Sequence, residues 1–191
     1  MTQSDSRRRF LETTARLLRE RGFAATGMAD VVAESGAPKG SLYFHFPGGK
    51  EELFAAAIAH SGEQTCAGMK AALEGNKTTQ RGLEAIMAYL AASLEGSDFR
   101  AGCPVGTVAA EAPDAPQVRE GVARVFTNWH DIVKARLVEA GLKPRRAGEL
   151  AEFILAVIEG AIVLAKARKS TEPVETAKRE LARILRNEGI Q

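Results

Sequence analysis

Residues 26–54 of this 191-residue chain are TGMADVVAESGAPKGSLYFHFPGGKEELF, and glycine and proline divide this stretch into short segments. Two short helices are predicted, over residues 28–35 and 39–44, with Gly36 and Pro38 between them. Glycine permits a sharp reversal because it adopts the left-handed backbone without a steric penalty, and the fixed φ of proline suits the first turn of a helix. The pattern predicts a helix-turn-helix, a motif whose second helix lies in the major groove of DNA.

The second helix of this motif has an outward face suited to DNA. Leu42 and Phe46 are four residues apart and should point into a small core, which a plain helical hairpin with an aromatic core would also explain. The outward residues are harder to explain by structure alone, because their polar groups can bind phosphates or base edges. Thr26 is expected to cap the first helix of the motif and to offer its hydroxyl to a phosphate. The predicted DNA contacts are Thr26, Lys39, Gly40, Ser41, Tyr43, Phe44 and His45.

The rest of the chain is also predicted to be helical. Alanine and leucine dominate its apolar residues, and no segment alternates in the manner of a strand. The prediction is an all-α protein with an N-terminal three-helix domain over residues 1–50 and a C-terminal helical bundle over residues 51–191. Its nine predicted helices span residues 6–21, 28–35, 39–44, 49–73, 79–95, 104–111, 115–140, 145–169 and 173–187.

The charge of the chain is concentrated at its N-terminus. The net charge is +2, and residues 1–50 hold eight Lys/Arg against five Asp/Glu, a balance of +3 that leaves −1 for the remaining 141 residues. A basic head on a near-neutral body is typical of a DNA-binding module joined to an effector module. A purely architectural DNA-binding protein would need a broad basic surface, which the neutral body disfavours.

Other classes of protein find little support in the sequence. No GxSxG, Walker A, GxGxxG or HExxH motif occurs, and the three histidines lack the spacing of metal ligands. We therefore predict no enzyme, no metal and no cofactor. The N-terminus lacks the apolar segment of a secretory signal, no stretch reaches the roughly 20 apolar residues of a membrane span, and Cys66 and Cys103 fit reduced thiols. These features predict a cytoplasmic protein with no membrane partner.

The run from Arg8 to Leu53 resembles the DNA-binding domain of the tetracycline-repressor (TetR) family of transcriptional regulators. Helix lengths, the placement of glycine and proline, and the LYFHF segment agree together. The resemblance implies that residues 39–45 form the recognition helix and that Lys50, at the start of the fourth helix, contacts a phosphate. It also implies repression that a small effector relieves. The PGGK turn is one residue longer than the commonest turn of the family.

The C-terminal body resembles one subgroup of that family. Residues 102–111, GCPVGTVAAE, are similar to regulators of lincomycin-type efflux and of flavonoid-responsive genes, which implies a planar, apolar effector. Apolar side chains of the body could line a cavity between helices, although most of them would equally serve as core. Asn128 and His130 are further polar candidates. The predicted effector contacts are Met69, Met87, Tyr89, Phe99, Val105, Val108, Glu111, Phe126, Trp129 and Phe153.

The eighth predicted helix is apolar on nearly all sides. Such a helix must be covered on two sides, by its own core and by a partner; a buried central helix in a monomer is the alternative. We predict a homodimer with an isologous four-helix interface. Its predicted residues are Ile154, Ile158, Ala161, Ile162, Ala165, Leu181, Ile184 and Leu185.

The expected partners are therefore double-stranded DNA with a palindromic operator, a small effector and a second copy of the chain. Two identical heads must enter successive major grooves, about 34–36 Å apart. The long fourth helix is predicted to act as the lever that changes this distance, with Lys50 and Phe54 holding its near end against the head.

Overall fold

The computed structural model describes residues 3–111 and 114–190, and every regular element in these residues is a helix. The predicted all-α fold is confirmed, and the predicted helix bounds differ from the observed ones by at most three residues. No helix in the described ranges is both long and apolar enough to cross a membrane. The helices are α1 (Gln3–Arg21), α2 (Met28–Ser35), α3 (Lys39–His45), α4 (Gly49–Glu74), α5 (Thr79–Gly96), α6 (Pro104–Glu111), α7 (Pro116–Glu139), α8 (Pro144–Arg168) and α9 (Glu172–Asn187).

The chain divides into two compact units. The first contains residues 1–64 and 103–126, and the second contains residues 65–102 and 127–191. The chain passes between the units within α4, just before α6, and within α7. This division differs from the expected boundary at residue 50, because α6 and the N-terminal parts of α4 and α7 belong with the first three helices. The expected boundary concerned function, and it stays a prediction.

The first unit has an aromatic core beneath the helix-turn-helix. Phe10, Leu42 and Phe46 are buried, and the rings of Phe10 and Phe46 meet edge to face with centroids 6.4 Å apart, a favourable arrangement for aromatic pairs. α1 packs against both α2 and α3. Gly36 ends α2 with a φ of +64°, so it adopts the left-handed conformation that the sequence predicts for this turn.

α4 and α7 approach each other closely in the first unit. A Cβ atom at Gly62 of α4 would lie 2.5 Å from Cγ2 and 2.8 Å from Cγ1 of Val125 on α7. Val125 is itself buried. The separation of these two helices therefore requires glycine at position 62.

The second unit is built on the packing of α5, α8 and α9. The inward stripe of α9 includes Val174, Ala177, Leu181 and Leu185, which recur at the three- and four-residue spacing of one helix face. α5 begins with a side-chain cap, since the hydroxyl of Thr78 accepts a hydrogen bond from the Arg81 backbone N–H at 3.3 Å.

Candidate nucleic-acid interface

The outer face of α3 presents a lysine and two aromatic side chains to solvent. Lys39 and Gly40 are exposed, and Tyr43 and Phe44 are 55% and 66% exposed, whereas Leu42 between them is fully buried. Large aromatic side chains are seldom left together in water without a partner. α3 therefore has the predicted orientation, with Leu42 directed inward and its neighbours outward. DNA contact through these residues stays a prediction.

Ser41 and His45 are less free than their neighbours on α3. The Ser41 hydroxyl donates to the carbonyl of Pro38 at 2.7 Å, which leaves its lone pairs as acceptors. His45 is half-buried, with ring centroids 5.2 Å from Phe44 and 6.3 Å from Phe46. Its Nε2 atom is buried without a hydrogen-bond partner in the described part of the chain. Both side chains lie beside the exposed face and are partly held by the protein.

Thr26 does not cap α2. Its side chain is buried, and its hydroxyl donates to the Gly22 carbonyl at 2.6 Å. Gly27 is the residue before α2, and the Asp30 carboxylate accepts from its backbone N–H at 3.0 Å. The predicted cap is wrong because Thr26 lies one residue too early in the chain. A phosphate contact through its hydroxyl would require breaking the bond to Gly22, so the placement of Thr26 does not support that contact.

Lys50 is the second residue of α4, and its side chain turns toward the connection between α1 and α2. Its Nζ atom donates to the Phe23 carbonyl at 3.2 Å and lies 4.7 Å and 5.1 Å from the ring centroids of Phe23 and Phe54. A cation over aromatic faces is attracted by their quadrupoles. Lys50 and Phe54 therefore hold the near end of α4 against the head, in agreement with the sequence. A phosphate contact would require the ammonium group to leave the Phe23 carbonyl.

Glu111, the last residue of α6, binds the same α1–α2 turn. Its Oε1 accepts from the Phe23 backbone N–H at 3.0 Å, and its Oε2 accepts from the Ala24 backbone N–H at 2.7 Å. A Cβ atom at Gly22 would lie 1.7 Å from Oε1, so the carboxylate occupies the space beside this glycine. Because both oxygens already accept a hydrogen bond from the turn, the placement of Glu111 does not favour a contact with an effector, which stays a prediction.

α1 and α2 are also joined by a carboxylate at the surface. Glu34 accepts from Arg16 at 2.6 Å and from Arg21 at 3.0 Å. The hydrogen bond from Arg16 is the largest cause that lowers the pKa of Glu34, and the positive charge of Arg21 lowers it further. Exposed ion pairs of this kind contribute little stability individually. They link Glu34 of α2 to two arginines of α1.

The predicted effector contacts do not share one environment. Tyr89 and Phe153 are 71% and 48% exposed, so they lie on the surface of the chain and do not line its interior. This corrects their assignment to an internal cavity, and it arises because helical periodicity does not distinguish two apolar faces of one helix. Phe99 and Phe126 are half-buried. The buried members are Val105 and Val108 in the first unit and Met69, Met87 and Trp129 in the second.

Most of the predicted dimer contacts are core residues of one chain. Ile184 is half-buried, and the other seven are buried. Because α8 and α9 pack against each other and against α5, and these seven side chains are buried within one chain, they are not presented to a partner. This is a correction of the predicted interface. The seven buried residues are Ile154, Ile158, Ala161, Ile162, Ala165, Leu181 and Leu185.

α8 has a second apolar face, which is exposed. Val163 is 62% exposed, and Phe153 and Leu164 are close to half exposed. Small residues lie between them, and a Cβ atom at Gly160 would meet nothing within 4 Å. We define the outer face of α8 as Phe153, Ala156, Gly160, Val163, Leu164 and Ala167, all exposed.

Comparison with known proteins identifies the family. Residues 10–57 match bacterial regulatory proteins of the tetR family, and residues 79–180 match the C-terminal domain of LmrA/YxaF-like transcriptional regulators. The chain is 38% identical over 186 residues to the HTH-type transcriptional regulator Rv0196 of Mycobacterium tuberculosis H37Rv, covering 94% of this chain and 93% of that protein. The chain belongs to the TetR family.

Two further comparisons agree with this membership. The HTH-type transcriptional regulator LmrA of Bacillus subtilis strain 168 is 33% identical over 175 residues, covering 91% of this chain and 93% of LmrA. A crystal structure of a TetR transcriptional regulator from Chloroflexus aurantiacus is 30% identical, covers 96% of this chain and 95% of that one, and superposes with a TM-score of 0.79. The protein is a TetR-family transcriptional regulator that binds DNA through its helix-turn-helix. Both resemblances drawn from the sequence are confirmed.

Two features of this TetR protein have no clear signal in its sequence. The contact of Glu111 with Phe23 spans 88 residues, and an acid at the end of a short helix is ordinarily a surface residue. The exposed face of α8 also lacks a clear sequence signal, since the helix is apolar on both sides. The run of small residues at Ala156, Gly160 and Ala167 is the one local hint, because small residues permit close approach of a second helix.

Proposed function

We propose that this TetR regulator is a homodimeric repressor that leaves a palindromic operator when a small apolar effector binds. The observation that carries the proposal is the exposed face of α3, with Lys39, Tyr43 and Phe44 directed into solvent from a well-packed head. Lysine binds guanine or phosphate, and a tyrosine hydroxyl binds phosphate oxygens. A single α3 covers only a few base pairs, so a specific site requires two heads.

The second head is supplied by a second copy of the chain, joined through the outer face of α8. Contiguous exposed apolar patches on soluble proteins commonly mark interfaces. Gly160 lies in the middle of this face with open space above it, so a partner helix could approach closely there. A two-fold axis through this face would pair identical residues, which is the commonest symmetry of homodimers.

The effector is expected to be small and apolar. Support comes from the match to LmrA/YxaF-like C-terminal domains and from the buried Met69, Met87 and Trp129 of the second unit. Such side chains line the ligand sites of helical proteins. We expect the protein to act in the cytoplasm without a metal or cofactor.

The proposal is tested by selecting duplexes from a random-sequence pool with the wild-type protein. We expect a palindromic consensus, two chains per duplex, and a mass of two 20.4 kDa chains by light scattering. A thermal-shift screen of planar aromatic compounds then identifies stabilising compounds, and these should weaken operator binding. Salt-dependent binding without sequence preference would instead indicate an architectural protein, and a mass of one chain would exclude the dimer.

A further inference from the structure

A single peptide group is held by both α4 and α6. The peptide between Phe23 and Ala24 donates its N–H to Glu111 at 2.7 Å, and its carbonyl accepts from Lys50 at 3.2 Å. The carboxylate therefore lies at the positive end of the peptide dipole and the ammonium group at its negative end. Hydrogen bonds arranged in series polarise one another and are strengthened. Glu111 adds a second bond to the same turn, to the Phe23 N–H at 3.0 Å.

This peptide lies in the turn that joins α1 to the helix-turn-helix. Gly22 precedes it with a φ of +81°. The Thr26 hydroxyl closes the turn by donating a hydrogen bond to the Gly22 carbonyl at 2.6 Å. α2 begins two residues later, at Met28. The position of α2 and α3 relative to α1 therefore depends on how this turn is held.

α6 leads directly from the second unit to this turn. The division between the units falls between Gly102 and Cys103, and α6 begins at Pro104. Along the chain, the second unit is therefore followed only by Cys103 and the eight residues of α6, of which Glu111 is the last. A hydrogen bond is lost when donor and acceptor move beyond about 3.5 Å, so the two bonds from the turn to Glu111, at 3.0 Å and 2.7 Å, depend on the position of α6.

We propose that Glu111 is the coupling residue of this regulator, the positioning residue through which α6 senses and sets the state of the DNA-binding helices. This inference rests on the proposed function, because it names the contact by which the body and the operator influence each other. The predicted lever, α4, holds the same peptide through Lys50. Two elements therefore converge on one peptide group, and Glu111 is the one that links α6 to it.

Hydrogen exchange measures this coupling without an effector. Coupling is reciprocal, so an operator duplex that binds α3 should alter amide exchange in residues 104–111 of the full-length wild-type protein. Glu111→Ala removes both acceptors, and Glu111→Gln retains one, since an amide has a single acceptor oxygen. Asp114→Ala serves as the control, because it removes a neighbouring exposed carboxylate. The probe is a duplex selected from a random pool by the wild-type protein.

We expect Glu111→Ala to accelerate exchange at the Phe23 and Ala24 amides by at least about tenfold, as befits the loss of a charge-assisted hydrogen bond. The variant should still bind the duplex, but its α6 should no longer respond, while Glu111→Gln responds partially and Asp114→Ala fully. An unchanged α6 response in Glu111→Ala, or no response in the wild type despite duplex binding, would overturn the inference. If the wild type binds no duplex, the proposed function itself fails.

Should Glu111→Ala fail to fold, Glu111→Gln decides the question alone. This variant keeps the size of the side chain and one hydrogen bond to the turn. A folded Glu111→Gln protein whose α6 responds to the duplex as strongly as the wild type would contradict the proposal, and a weakened response would support it.

Discussion

Gly62 and Gly68 lie in the same helix, α4, but in different surroundings. The space that a Cβ atom would need at Gly62 is filled by both methyl groups of Val125, whereas a Cβ atom at Gly68 would meet nothing within 4 Å. Valine is branched at Cβ and has little freedom to turn aside. The two glycines therefore separate the packing effect of a methyl group from its effect on helix propensity.

Gly62→Ala should lower the free energy of unfolding, and Gly68→Ala should raise it. Overpacking costs about 1–3 kcal/mol, which exceeds the gain of up to about 1 kcal/mol in helix propensity. Gly68→Ala gains the propensity term alone, about 0.5–1 kcal/mol. Urea denaturation measures both. If Gly62→Ala proved as stabilising as Gly68→Ala, the close approach of α4 and α7 would be wrong.

Tyr43→Phe should weaken operator binding about fivefold, the effect of one lost hydrogen bond of about 1 kcal/mol. The side chain is more than half exposed, so the melting temperature should not change. The only other tyrosine, Tyr89, is exposed on α5, and Tyr89→Phe is the matched control. Gel-shift titration at fixed salt measures the affinities. Equal affinities for both variants and the wild type would exclude a phosphate contact by the Tyr43 hydroxyl.

At the scale of helices, local signals predict the elements but not always their faces. Gly36, Pro38 and the 3.6-residue apolar period place α2 and α3 closely, because these signals act within one turn of helix. α8 shows the limit of such signals. Ile154 and Phe153 are adjacent and both apolar, yet one is buried and the other exposed. The difference depends on where α9 packs, and no pattern within α8 specifies that.

Val163→Glu should convert the dimer to a monomer and abolish operator binding. The charge would be buried without a partner in the proposed interface, a cost of several kcal/mol, but exposed in the monomer. Ala135→Glu, at another exposed apolar position, on α7, should leave both properties unchanged. Light scattering and gel shift report the two outcomes. Persistence of a Val163→Glu dimer would show that the outer face of α8 is not the interface.

At the scale of the whole molecule, the sequence predicts which segments exist better than which of them meet. The exposed residues of α3 could be placed because their neighbours in sequence form the core beneath them. The contact of Glu111 with the α1–α2 turn could not, since the partners are 87 and 88 residues apart and an isolated carboxylate carries no pattern. The sequence places Lys50 at the start of α4, but the bond of its ammonium group to the Phe23 carbonyl depends on a residue 27 positions away.

Operator DNA should weaken the binding of any compound that releases it, by the same factor in both directions. The expected coupling is about 1–3 kcal/mol, or roughly 5–150-fold in affinity. Calorimetric titration of a stabilising compound from the thermal-shift screen, with and without saturating operator duplex, measures this factor. An equal affinity in the two titrations would show that the body does not control DNA release.

The Glu111 carboxylate lies where a Cβ atom at position 22 would have to be. Any side chain at position 22 would displace the carboxylate at position 111, so position 22 cannot change while Glu111 is kept. Among related sequences, the two positions should co-vary, with a short residue at 111 wherever 22 is not glycine. The same constraint applies to engineered chimeras. If Glu111 couples α6 to the head as proposed, a DNA-binding head transplanted from this protein onto a foreign effector body will respond to that body only where the body provides a carboxylate at the end of the corresponding short helix.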